Sequence, residues 1–151
     1  MSDELHIPTE SFIVAQGVSD GLPDMWIVNG ALSDLRPKHA FPWHLSVIVD
    51  CQESTANGFP TKQESEVLAA MGDVLDDNLT RATNAVRLAR ITWNRTRQFV
   101  YRVRDPEVAN AYLRGLIASK SRLREFDFRM EADPDWQLAQ PHLALSQRQA
   151  E

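Results

Sequence analysis

Apolar and polar residues alternate with a period of two along much of this chain, and with a period near 3.6 in two stretches. Ser11–Ser19 (SFIVAQGVS) is apolar and rich in β-formers, and it predicts a strand. Asp20-Gly21-Leu22-Pro23-Asp24 is a turn cluster, and Met25–Leu32 predicts a second strand paired with the first as a hairpin. Trp43–Asp50 alternates strictly: Trp43, Leu45, Val47 and Val49 share one face, and His44, Ser46, Ile48 and Asp50 the other. Asn57-Gly58 supplies a turn. Thr61 and Glu64 then form a capping box that opens a helix running to about Ala82. Val67, Leu68, Met71, Leu75 and Leu79 are its apolar stripe.

Residues 85–104 read as a second hairpin turning at Asn94-Arg95-Thr96. Phe99, Tyr101 and Val103 share one face of its second arm. The first arm changes phase, and a β-bulge near Ala89 restores it. Asp105-Pro106-Glu107 starts a second helix, to about Ser119, with Val108, Ala109, Tyr112, Leu113, Leu116 and Ile117 as its apolar face. Glu125–Glu131 is the last strand, with Phe126, Phe128 and Met130 inward. Trp136 follows as a plug at the edge of the core. Residues 1–10 and 145–151 show no periodicity and are expected to be loose.

The order β-β-β-α-β-β-α-β gives an α+β fold. Residues 43–131 form a ferredoxin-like two-layer sandwich (β-α-β-β-α-β), preceded by an extra N-terminal β-hairpin, and the whole of 1–151 reads as a single domain. Both helices are expected on one sheet face. His44, Ser46, Arg102, Arg104, Asp127 and Arg129 would leave the other face polar, unless the hairpin folds over it rather than extending an edge.

Three stretches carry a family resemblance. They are Asn57-Gly58-Phe59-Pro60 leading into Thr61-Lys62-Gln63-Glu64, Phe99-Val100-Tyr101 with Asp105-Pro106, and Phe126-Asp127-Phe128 closing on Asp133-Pro134-Asp135-Trp136. In their order and spacing, Pro42 to Trp136 resembles a bacterial family known only as a domain of unknown function, number 695, which is similar to the regulator of ribonuclease activity B. The resemblance implies a ferredoxin-like fold, a bacterial cytoplasmic setting, no cofactor, and action by binding a protein rather than by catalysis. No functional residue carries over from it.

Composition and motifs narrow the chemistry. Of 151 residues one is cysteine, so no internal disulfide can form, and the acidic polar N-terminus does not read as a signal peptide. The net charge of −5 argues against non-specific nucleic-acid binding. His6, His39, His44 and His142 show no ligand spacing and read as loop or surface residues. Cys51 lacks a base on its own strand face and reads as a buried thiol. No phosphate loop or nucleophile elbow occurs.

The charge is uneven. Acids crowd the first helix, while Arg87 to Arg104 carries only cations. Asp76 and Asp77 stand at a helix C-terminus, where the dipole disfavours acids. Glu64, Glu66, Asp73, Asp76 and Asp77 are therefore expected to form a partner-binding surface for another protein with a basic face. The leading expectation is a non-enzymatic regulator or inhibitor, acting on a nucleic-acid-processing enzyme. A toxin-neutralising immunity protein is the special case. A small hydrolase or an RNA-binding domain using the polar sheet face is the alternative.

Overall fold

The computed structural model describes residues 4–150, with side chains as far as Gln147. Six antiparallel strands form one open sheet: β1 (Phe12–Ser19), β2 (Leu22–Asn29), β3 (Trp43–Asp50), β4 (Ala85–Trp93), β5 (Thr96–Val103) and β6 (Phe126–Ala132). Their spatial order is β1-β2-β4-β5-β3-β6. The last four in that order make the ferredoxin-like arrangement, with β3 and β5 central. The N-terminal hairpin extends the sheet at the β4 edge through the pairs from Asp24↔Trp93 to Val28↔Ala89.

The helices α1 (Lys62–Leu79) and α2 (Pro106–Ser119) pack on one face. Between them and the sheet lie Leu45, Val47, Val49, Leu68, Met71, Leu75, Phe99, Tyr101, Val103 and Leu113, all buried. The periodicities assign these residues to the core because burial of one face is what makes a strand or helix of this pattern stable. α1 also needs Gly72. A Cβ there would lie 2.7 Å from Phe99 Cε1 and 2.9 Å from Arg90 Nη2, so the helix could not approach β4 and β5 so closely with any larger residue. Phe126 and Phe128 touch this core but are only half-buried, because β6 is an edge strand with no further neighbour. Of the α2 face, Ala109 and Leu113 are buried, whereas Val108 and Ile117 are exposed.

The opposite face departs from the expectation of a polar surface. A second core covers it, built from Val28, Leu32, Leu35, Phe41, Val86, Leu88, Ala89, Ile91, Val100, Trp136, Ala139 and Leu143. The 30–41 connection, the 133–139 loop and a third helix, α3 (Gln140–Ala150), supply the cover. His44 and Ser46 are buried beneath it, and Arg102 is wholly so. Arg104, Asp127 and Arg129 stay exposed.

Arg102 has no exposed surface because it is saturated with partners. Its guanidinium donates to Asp133 Oδ2 at 2.8 Å, to the Asp133 carbonyl, to Phe41 O at 3.1 Å and to His44 Nδ1 at 3.1 Å. The Trp136 ring lies 4.6 Å from it. Asp133 in turn accepts from the Gln137 and Leu138 amides and so anchors the loop that leads to α3.

Two segments expected to be loose have partners. His6 exchanges backbone hydrogen bonds with Arg36, and Glu10 pairs with Arg87. Residues from Leu145 continue α3, whose Ser146 is buried against Gly30. Residues 1–3 and 151, which fall in those same two segments, lie outside the described residues. The bulge in β4 is present as a register shift between Arg87 and Ala89.

Leu75 is fully buried between α1 and the sheet. Leu75→Ala should destabilise the protein by about 2–5 kcal/mol, through lost burial plus the cavity left behind. Urea unfolding of the purified variant measures this, and an unchanged midpoint would refute the placement.

Candidate functional site

The five acids assigned to a partner surface separate into two groups. Glu64 does not belong to the surface, being 1% exposed. The Glu64 amide does donate to Thr61 Oγ1 at 3.2 Å, which is half of the expected capping box. The reciprocal bond is absent. The Glu64 carboxylate instead accepts from the Gln52 amide at 2.8 Å and from Arg124 at 2.6 and 2.9 Å. It thus ties the β3–α1 loop and the approach to β6 onto the helix start. Glu66 is exposed on the helix and does not line the cleft described next.

Asp73, Asp76 and Asp77 come together. With Glu10, Arg87, Ile7, Pro8, Asn29 and Thr80 they line a cleft of about 700 Å³ between the second half of α1, the start of β4 and the N-terminal segment. Asp76 is not a surplus charge. Its Oδ1 accepts from the Tyr101 hydroxyl at 2.6 Å, and its Oδ2 accepts from Arg87 Nη1 at 3.0 Å. These bonds offset its unfavourable place near the helix C-terminus. Arg87 also donates to Glu10 through Nε at 2.7 Å, and its guanidinium lies 4.9 Å from the Phe12 ring. The two carboxylates raise its pKa, Glu10 foremost. Burial, then Asp76, holds the Tyr101 hydroxyl in its protonated form. Asp73 and Asp77 are exposed and form no ion pair among the described residues. Glu10 and Arg87 escaped the sequence reading because the first lies in a stretch without periodicity and the second owes its direction to the bulge.

Beside this cleft a smaller one of about 200 Å³ shares Asp76 and Arg87 and adds Phe12, Ile27, Arg90, Phe99 and Tyr101. Phe99 and Tyr101, the aromatics interleaved with arginines, are buried beneath α1 rather than presented for stacking. Cys51 is half-buried and free. Burial, then Glu64, pushes its thiol pKa up, away from the nucleophilic thiolate. Among the described residues no group of three or more His, Cys, Asp or Glu side chains is placed to hold a metal ion, and no helix is long and apolar enough to cross a membrane.

His44 and His142 are not surface residues as expected, since both are buried against the second core. Their rings lie 5.9 Å apart, and the Trp26 ring lies 5.2 Å from that of His142. Arg102 can only donate, so His44 Nδ1 accepts and the neutral ring carries its proton on Nε2. His142 Nδ1 sits near the Leu138 and Ala139 carbonyls without reaching either in hydrogen-bonding geometry.

Two pH dependences follow. Arg124 foremost, against the opposing effect of burial, holds the Glu64 carboxyl below its ordinary value. The stability it contributes is complete above the unfolded pKa of about 4.5 and is lost as pH falls through the lower folded one. Glu64→Gln should cost about 1–3 kcal/mol at neutral pH and should lose less than the native protein on acidification. Equal acid sensitivity in urea titrations would contradict this. The histidines act in a higher window. Burial brings both to about 4, helped at His44 by Arg102 and His142 and opposed there by Asp133. Between about 6.5 and about 4 the unfolded chain binds more protons than the folded one, so stability should fall as pH drops through that range. His142→Gln should flatten this slope, and a native midpoint that does not change between pH 7 and 5 would contradict it.

No curated protein and no solved structure matches the chain. The model of the family described as "Family of unknown function (DUF695)" matches residues 14–140, which takes in all six strands except the first two residues of β1, together with α1, α2 and the Asp133–Trp136 loop. This protein therefore belongs to that family.

Proposed function

We propose that the protein is a non-catalytic binding module that docks a basic segment of another protein in the acidic cleft at the end of α1. One observation carries this reading: Glu10, Asp73, Asp76 and Asp77 line one cleft whose only lining cation among the described residues is Arg87. Arg87 is already shared between Glu10 and Asp76, which leaves Asp73 and Asp77 without an ion pair among the described residues. A lysine or arginine entering there would meet acceptors in place and the apolar Ile7 and Pro8 beside them. The similarity of the family to the regulator of ribonuclease activity B supports a regulator or inhibitor of a nucleic-acid-processing enzyme, working in the cytoplasm. Immunity to a basic toxin fits the same surface.

The test spares the residues that the fold uses. Asp73→Lys with Asp77→Lys reverses the free charges and leaves Glu64, Asp76 and Tyr101 untouched. Proteins captured from the source cells by the native chain should be lost from the doubly reversed one, while its circular dichroism and unfolding midpoint stay unchanged. For a partner found this way, the association rate should fall about tenfold or more between low and high salt, and the reversed protein should associate more slowly at low salt. A rate indifferent to both salt and reversal would exclude the acidic cleft as the docking site.

A further inference from the structure

On the sheet face away from α1, the cover of the second core stops short of β6. There His44, Ser46, Ile48, Gln98, Arg129, Glu131, Leu138 and His142 line a cleft of about 270 Å³. The strand register builds it. Ser46 faces Arg129 across the β3–β6 ladder, and His44 faces Glu131. Gln98 pairs with Ile48 across the β3–β5 ladder. Leu138 and His142 close the far side, the first just ahead of α3 and the second within it. Gln98 is also shared with a neighbouring cleft of about 240 Å³ walled by Trp26, Ile91 and Trp93, where Asp20 and Asp24 make the lining acidic and unsuited to an anion.

The polar groups here lack protein partners. The Nε2 proton of His44, fixed by Arg102 on the other ring nitrogen, meets no acceptor among the described residues. The Ser46 hydroxyl and the Gln98 amide form no side-chain hydrogen bond among them. Arg129 and Glu131 are exposed neighbours on the same face of β6, yet they are not paired with each other or with any other described charge. The cleft thus offers three uncharged donors and one guanidinium, with apolar surface from Ile48 and Leu138 beside them. Its lining charge is neutral, since Arg129 and Glu131 cancel. A dianion such as a phosphate monoester would find one cation facing one anion. A carboxylate is planar and singly charged, and it suits a guanidinium flanked by N–H and O–H donors.

We infer that this cleft is a binding site for a small monocarboxylate with an apolar or aromatic body, its carboxylate held by Arg129, His44, Ser46 and Gln98 and its body lying against Ile48 and Leu138. The site lies on the opposite side of the sheet from α1, so it stands or falls independently of the acidic cleft.

Benzoate is the probe and benzamide its neutral counterpart. In NMR titrations of the full chain, benzoate should shift the His44, Ser46 and Gln98 resonances and saturate at a dissociation constant of about 1 mM, as its size allows. Benzamide should not saturate. Arg129→Glu, at an exposed edge-strand position, should weaken benzoate binding about tenfold or more. Glu131→Gln, which removes the opposing charge, should tighten it by about threefold. Absence of saturable shifts, equal binding of benzamide, or an unchanged constant in Arg129→Glu would overturn the assignment.

Discussion

The buried pair of Arg102 and Asp133 holds the two sides of this protein together. A guanidinium with no exposure is costly unless each of its donors finds an acceptor. Here the acceptors come from three separate parts of the chain: the Phe41 carbonyl, His44 on β3, and both the side chain and carbonyl of Asp133. Burial alone would raise the Asp133 carboxyl. Arg102 and the Leu138 and Gln137 amides hold it below the usual range instead. With the ion pair satisfied, Trp136 can lie over the guanidinium and send its indole N–H to the Lys38 carbonyl at 2.7 Å. The second core grows from that point. The tautomer of His44, and with it the donor that His44 offers to the cleft beside β6, depends on Arg102 being where it is.

The α1 side is organised by a different economy of charge. Its acids divide between Glu64, which locks the helix start to Arg124, and Asp76, which joins the helix end to Tyr101 and Arg87. Each of these carboxylates spans two or more elements, whereas Glu66, Asp73 and Asp77 span none. Acidity on this helix is therefore partly architecture and partly surface. The line between the two follows contacts with arginines distant in sequence rather than position along the helix.

Much of the fold was legible because the α1-side core is written in simple periods. The alternation of Trp43–Asp50 and Phe99–Val103, the stripe of Leu68, Met71, Leu75 and Leu79, and the Asp105-Pro106 start all appear where the pattern puts them. The turn residues were equally direct: Gly58, with a positive φ, accepts from the Arg95 amide and ties the β3–α1 loop to the β4–β5 turn. The second core was not legible. Its members Leu32, Leu35, Phe41, Ala139 and Leu143 lie mostly in connections without regular period, and Arg102 and His44 look like solvent-facing residues until Asp133 is folded against them. The helix α3 opens with Gln140-Pro141-His142, in a stretch where the pattern predicted no element. Of the candidate site, the aspartates of α1 could be read from charge alone. The partners that divide them into used and free could not, because Arg87 and Glu10 are 77 residues apart in the chain.

The bulge in β4 has a bearing on how this family can vary. Ala85 and Arg87 face α1 before the shift, and Arg90 and Thr92 face it afterwards, opposite Phe99 and Arg97. The strand is in effect two half-strands of opposite parity joined at Leu88, which is itself buried in the second core. Substitutions at such a strand are judged one position at a time, but changes of length are not. Losing Leu88 would close the bulge: Arg87 would still pair with Tyr101 and Ala89 with Val100, Arg90, Ile91 and Thr92 would keep their faces, and the second core would lose one leucine. A one-residue deletion at Leu88 therefore leaves the pairing in phase, whereas the same change inside a strand without a bulge turns over every side chain beyond it. The bulge is thus the point at which the length of β4 can change without turning a face.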